Sequence, residues 1–481
     1  MNLLLFPNNL YEVKYLPKDI NKVYLLEDPV YFGFREKKMS FNKVKLVLHR
    51  ASMKYYESYL KSKKIKVDYI NFKKLKNFKY SFMSNLKSIT YFELNDHLLQ
   101  TRLDKYTKDK EVDILDNPNF LVTTEVLDKY HEKKNNKNRF FHKNFYEFMK
   151  EELDILKGTK SYDNENRKSL PKNTKIPDIP KKKKSKYELE AIDYINKLFP
   201  KNYGDAEELL FPIDHKEAKK WLKHFLKKKF NNYGTYQDAI LDDNGFMFHS
   251  TISPMMNIGL LNPDYVVDQA TKYHKKHKIK MNNYEGFIRQ ILGWREYQRY
   301  CYLYAYDELV NPNYFNHKKK LHKNWYTGNT GIDPIDDAIK FGFKTGYLHH
   351  IIRLMIVSNF MNLCRLDPRE CYKWFMEFSV DSYDWVMIQN VYSMGQWADG
   401  GLTMRKPYIS SDNYVVNMSN YKRSDWSDVW NALYYYFLSD HEDKLKKTPY
   451  VRNLVHWKKK SKKDKDIKLK LAKDFIKKNT K

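Results

Sequence analysis

Along the first seventy residues, short apolar runs alternate with a longer amphipathic stretch. Leu3–Phe6, Val23–Leu26 and Ile65–Ile70 are strand-like in length and in β-branched or aromatic content. Between them, 41–60 places Val44, Val47, Leu48, Ala51, Tyr55 and Tyr59 at helical spacing. Strand, helix, strand in this rhythm predicts a doubly wound α/β domain around a parallel sheet, over residues 1–156. Residues 157–186 then carry three prolines, many charges and no periodicity, which predicts a linker. From Tyr187 to Lys481 the period changes to that of helices: Glu188–Leu198, His215–Phe230, Tyr284–Tyr306, Asp336–Asn362 and Pro368–Phe378. Asp367-Pro368, with Glu370 in the first turn, is a helix start. The expected architecture is an α/β domain followed by a large all-α domain with a basic tail.

Composition narrows the class. A chain of 481 residues is long enough for two or three domains, and 42% hydrophobic with 31% charged residues is globular. There is no run of 18 apolar residues, and the start has no basic leader or small-residue cleavage site, so no membrane span and no signal peptide are expected. Three cysteines make no disulfide framework and fit a reducing, intracellular compartment. The net charge of +29 suits a polyanion partner such as nucleic acid only where the charge clusters. Candidate clusters are Lys219-Lys220, Lys227-Lys228-Lys229, 274–278 and the tail 458–481. For any one of them a solvated basic face is the commoner outcome.

Several chemistries drop out. The chain has no phosphate-binding G-x-x-x-x-G-K-[ST], no G-x-G-x-x-G, no H-E-x-x-H, no C-x-x-C and no G-x-S-x-G. What it does have is an ordered set of longer motifs. EGFIRQILGWREY at 285–297, DNENRK at 163–168, HSTISP at 249–254 followed by NIGLL at 257–261, and YLHHIIRLM at 347–355 come first; 381–385, ADGG at 398–401 and KPY at 406–408 follow. In that order they resemble the photolyase/cryptochrome superfamily, in its iron–sulfur bacterial branch of photolyase-related proteins. The resemblance covers nearly the whole chain from Lys157 onward and is loose before it.

The resemblance implies a folded-back FAD inside the helical domain and ultraviolet-damaged DNA as partner. It also implies light-driven electron transfer to a pyrimidine lesion, the (6-4) photoproduct above all, by a monomeric enzyme. It assigns FAD contacts to Tyr233, Ser250, Ser253, Gln290, Trp294, Arg353, Asp399 and Gly400. His350 becomes the lesion-facing proton donor, with His349 beside it as a hydrogen-bonded core residue and Tyr408 near the lesion. Asp238 falls near the DNA site, where Mg²⁺ could bind, although one carboxylate is a weak cation ligand. Trp374, Tyr326, Trp325 and Trp385 are candidates for electron supply, with Phe375 where a redox-active ring is expected and Met387 where a glutamate is expected. A ribityl-lumazine antenna would sit in the α/β domain, but 26–29 does not match that site. The family's cluster cysteines are replaced: Pro334, Lys422 and Asp425 stand at three ligand positions, the loop between is shortened, and no iron–sulfur cluster is expected. Tyr421, Trp426 and Trp430 would pack in its place, and Cys364 and Cys371 would be apolar fillers. Alternatives are a blue-light sensor without repair activity, a cyclobutane-dimer photolyase, and a flavin-free nucleic-acid-binding relic.

Overall fold

A computed structural model describes residues 1–75, 77–134 and 139–481. Five short strands build the N-terminal layer: β1 (Asn2–Leu5), β2 (Lys22–Leu26), β3 (Val67–Ile70), β4 (Ser88–Phe92) and β5 (Glu111–Leu115). All pair in parallel, in the order β3-β2-β1-β4-β5. Strand β1 is central and covered on both faces, which is why it reads as an unbroken apolar run and not as an alternation. Strand β5 escaped the sequence reading for the opposite reason: it is an edge strand, with Val112 and Ile114 exposed.

The crossover helix α1 (Lys43–Ser62) starts at Asn42, whose side chain accepts from Val44 N. The same residue ties the two halves of the molecule together, because its Nδ2 donates to the carbonyls of Phe343 and Phe378. One turn on, the buried Lys45 ammonium donates to Met376 O and Ser382 O. A further turn on, His49 Nδ1 donates to Tyr31 O and Nε2 accepts from Tyr383 OH. Desolvation, then Lys45, holds His49 down to about 3, so the ring is neutral. Helix α2 (Lys186–Leu198) opens the helical part of the sequence but packs on α1: Arg50 pairs with Glu190 and lies over the Tyr194 ring. A capping box between Ser185 and Glu188 starts it.

The helical half differs from the sequence expectation in two places that matter. The predicted helix 284–306 is a rod whose middle, Arg289–Arg295, is π-helical between Met281–Ile288 and Glu296–Tyr304. The predicted helix 336–362 is two helices: Asp333–Thr345 ends at Gly346, whose φ is +70°, and helix resumes only at His350. Two more π-helical segments follow, Ile352–Ser358 and Ile388–Gly395. The C-terminal helix, Lys462–Asn479, docks by its end: Lys320 and Lys481 exchange backbone hydrogen bonds of 2.9 Å. No helix among the described residues is long and apolar enough to cross a membrane.

Candidate functional site

All three π-helical segments face one cavity of about 1000 Å³, at the upper end of the usual size of a ligand site. Such segments are rare and concentrate at functional sites, because the widened turn re-aims side chains and backbone carbonyls. They supply Gln290, Ile291, Trp294 and Arg295; Arg353, Leu354, Met355 and Ser358; and Asn390, Val391 and Met394.

A loop closes one side of the cavity. In HSTISP the β-branched Thr251 adopts φ +52°, a conformation that such residues rarely tolerate, and its hydroxyl accepts from Trp221 Nε1. Nearby Met247, at φ +44°, is held through its carbonyl by the buried Lys229. Lys229 is therefore not a DNA contact as the charge pattern proposed; its burial pulls the ammonium down to about 8. Lys219 is likewise engaged, with Glu12.

Of the residues expected at the site, Tyr233, Ser250, Ser253, Gln290, Trp294, Arg353, Asp238, His350 and Tyr408 line this cavity. Arg353 is held by Asp381 through two contacts of 2.8 and 3.1 Å, and Ser253 Oγ donates to the same carboxylate. Coulombic attraction to Arg353 and the hydrogen bonds outweigh burial and hold Asp381 below the usual carboxylate range. Trp294 stacks on His142, centroids 3.9 Å apart, so the α/β half contributes to the wall. Gly293 is what permits this approach, because a Cβ there would lie 2.8 Å from His142 Nε2.

Three of the expected residues lie elsewhere. Asp399 and Gly400 stay off the wall: Asp399 accepts from Ser393 Oγ and from the amides of Gly401 and Thr403, and so shapes its own loop. His349 points away from the cavity into the core, with no hydrogen-bond partner at either ring nitrogen. It is thus a core histidine, but a stacked one and not a hydrogen-bonded one. The break at Gly346 explains the divergence of the pair. His349 precedes the resumed helix and His350 begins it, so the two do not obey helical spacing. His350 opens into the cavity, where desolvation, then Arg353, lowers its pKa to about 4.

Sequence reasoning missed Arg167, Arg289, Asp381, Asn390 and His249 on the wall. Arg289 sits inside the recognised motif, and its guanidinium is held by Ser161, Asp163 and, at 3.7 Å, Glu285. The Ser250 hydroxyl, the Gln290 amide and the Arg353 guanidinium fixed by Asp381 on this wall are a donor set that a dinucleotide would use, so the wall fits FAD.

Other groups fare differently. Asp238 is raised to about 6 by burial against the opposing pull of Arg167, and Tyr414 OH donates to it. With a guanidinium facing it and no group of three or more metal-ligating side chains among the described residues, this carboxylate does not fit Mg²⁺. Pro334 and Tyr421 share a cleft of about 20 Å³, room for a single water. Tyr421 OH donates to Asp337 across it, and Trp426 Nε1 donates to Lys422 O. Proline offers no ligand and no thiolate is present there, so the residues do not fit an iron–sulfur cluster. In the α/β layer Glu27 and Asp28 are saturated by the chain's own donors. Asn95 and Arg102 Nη1 are buried without hydrogen-bond partners.

Trp374, Trp325 and Trp385 are buried and Tyr326 is largely so, all behind the wall; Phe375, next to Trp374, is on it. Trp385 packs between Phe120 and Arg295, away from the other three.

Comparisons with known proteins agree with this geometry. Residues 3–211 match the family described as deoxyribodipyrimidine photo-lyase-related protein, and 287–478 match the FAD binding domain of DNA photolyase. A (6-4) photolyase of Agrobacterium fabrum (strain C58) is 35% identical over 319 residues, 63% of this chain and 63% of that relative. The match thus spans less than two thirds of the relative's length. A cryptochrome of Synechocystis sp. PCC6803 superposes with a TM-score of 0.58 at 15% identity, over 94% of this chain and 89% of its own. A bacterial class III photolyase from Agrobacterium tumefaciens does so with a TM-score of 0.55 at 16% identity, over 99% and 98%. At such identities the likeness is one of fold.

Proposed function

This chain belongs to the photolyase/cryptochrome superfamily, in its deoxyribodipyrimidine photo-lyase-related branch, and from that we propose light-driven repair of ultraviolet-damaged DNA, with the (6-4) photoproduct as substrate. The observation that carries the proposal is His350, open to a flavin-sized cavity that Arg353 and Tyr408 also line. When bound, FAD supplies a light-excited electron donor for cleavage of the lesion.

The chain's own residues do the rest. Arg353, compensated by Asp381, gives a fixed cationic edge suited to a negatively charged ring system. Ser250 and Gln290 offer donors to phosphates and ribose. A damaged pyrimidine is cheaper to extrude from the stack than a sound one, and the rim residues Arg167 and Lys406 meet the backbone that remains outside. His350 enters neutral at pH 7. Anionic charge brought into the cavity raises its affinity for a proton, which makes it a donor only once substrate is in place.

A lumazine-type antenna in the α/β domain is part of the same proposal, as is a monomeric state in which one chain supplies the whole wall. The test is a lesion-resolved assay with reduced protein, an irradiated oligonucleotide and blue light, the two lesion types being quantified separately. Loss of the (6-4) product in light alone supports the reading. A flavoprotein that repairs neither lesion would be a light sensor, and one that removes only cyclobutane dimers would need no role for His350.

A further inference from the structure

Tyr408 lines the cavity with no hydrogen bond at its hydroxyl and no ring stacked on it among the described residues. Its placement therefore depends on its backbone. The segment that carries it, 405–410, is neither helix nor strand, and its peptides make no hydrogen bond to another peptide among the described residues. Side chains hold it instead. Tyr450 OH shares its single proton between two carbonyls, Pro407 O at 2.7 Å and Ile409 O at 3.0 Å, which lie on either side of Tyr408. Past them, Asn359 Oδ1 accepts from Ser410 N at 3.2 Å and Trp430 Nε1 donates to Ser410 O at 3.0 Å. In the other direction Arg405 and Lys406 are exposed, so among the described residues Tyr450 makes the only hydrogen bonds to 405–409.

Tyr450 is itself firmly seated. It precedes the helix Val451–Lys458, which packs on the helix Asp425–Asp440. There Trp457 stacks on Tyr435, centroids 5.1 Å apart, and Asn453 Nδ2 donates to Tyr434 OH at 2.6 Å. Tyr434, Tyr450 and Asn453 all reach the cavity wall. Burial raises the Tyr450 phenol, so the group stays protonated and keeps its proton on the two carbonyls.

We propose that Tyr450 is a positioning residue: its phenol clamps the chain on both sides of Tyr408 and so sets how the Tyr408 ring enters the cavity and meets damaged DNA. The proposal rests on the repair reading given above, in which Tyr408 lies near the lesion. A side chain with no anchor of its own must be ordered when substrate arrives, and that ordering is subtracted from binding. Tyr450 removes the cost in advance by fixing the segment before substrate enters. Loss of its hydroxyl therefore acts through Tyr408, on affinity for the damaged site, and leaves the flavin contacts at Ser250, Gln290 and Arg353 in place.

The test uses the full-length, FAD-loaded protein in the dark, with an oligonucleotide that carries one defined (6-4) lesion and its undamaged counterpart. Tyr450→Phe keeps the ring and removes only the oxygen. It should weaken binding of the damaged oligonucleotide about five- to tenfold, with FAD content and affinity for the undamaged one unchanged. Tyr408→Ala should weaken binding as well, and adding Tyr450→Phe to Tyr408→Ala should cost nothing further, because the clamp then has nothing to position. A general loosening of the fold would give losses that add. A second readout needs no DNA: 3-fluorotyrosine incorporated in place of Tyr408 should give a fluorine resonance that shifts or broadens in Tyr450→Phe. An unchanged resonance, unchanged lesion affinity in Tyr450→Phe, or additive losses in the double variant would overturn the proposal. A wild type that binds damaged and undamaged DNA equally would contradict the repair reading instead, and the fluorine resonance would still decide whether Tyr450 holds Tyr408.

Discussion

The ring of His349 lies flat on that of His249, centroids 4.3 Å apart and planes within 10°, while its sequence neighbour His350 faces the open cavity. His249 donates from Nε2 to Gln237 O, and burial holds it down to about 3; His349 is lowered by burial and then by His249. The adjacent histidines therefore do different work: His349 backs the wall residue His249 in a neutral stack, and His350 meets whatever fills the site.

That division predicts an unusual tolerance. His349→Phe keeps a flat ring on His249 and removes two buried nitrogens that have no partner. It should be as stable as wild type or more stable by about 1–2 kcal/mol, judged by urea midpoint. A marked loss of stability would mean that the ring nitrogens of His349 are satisfied by water.

Stability should fall as pH drops below about 6.5. His49 and His142 are held down to about 3 by burial, and His441 to about 4, so the native state binds fewer protons than the unfolded chain below the ordinary histidine value. Their contribution is complete above that value and is lost as pH falls toward their folded values. Asp28 and Asp238, raised to about 6 by burial, and Glu296, raised to about 7, work in the opposite direction, but burial also lowers His215, His249, His317, His349 and His350, so the histidines outnumber them. Urea midpoints at about pH 7.5 and about pH 5 check this, and the lower pH should be clearly weaker.

No iron should be found by elemental analysis, and the visible spectrum should contain flavin bands only. In place of a metal staple, Trp430 is fully buried against Phe360 at 4.6 Å and Trp426 at 5.9 Å, and donates to Ser410 O. Trp430→Ala should cost about 3–5 kcal/mol. Cys364→Ser and Cys371→Ser should cost less, about 1–3 kcal/mol each. Stoichiometric iron would contradict this account.

Much of this was legible in the sequence, for reasons that differ from element to element. Strand β1 and helix α1 declared themselves because one is an unbroken apolar run buried on both faces and the other carries apolar residues at helical spacing, although its first half is buried all round. Strand β5 did not, although Glu111–Ile114 alternates polar and apolar residues, because the run is short and Val112 and Ile114 face solvent at the sheet edge. The break at Gly346 was a missed stop signal, a glycine past the last turn of a helix whose apolar pattern continues beyond it. Motif order located most of the cavity wall, but His142 reaches it from the other half of the chain and only the fold brings it there. Asp399 looked like a ligand for the same reason that Asp381 did not: local sequence does not say which carboxylate turns inward.

The most direct measurement of the central claim is light-driven repair of a defined (6-4) oligonucleotide by wild type and His350→Ala, with FAD content and damaged-DNA affinity measured on the same samples. The account predicts repair by wild type, none by His350→Ala, and equal FAD and DNA binding by both. Equal repair rates in the two proteins, or no light-dependent repair by flavin-loaded wild type, would contradict it.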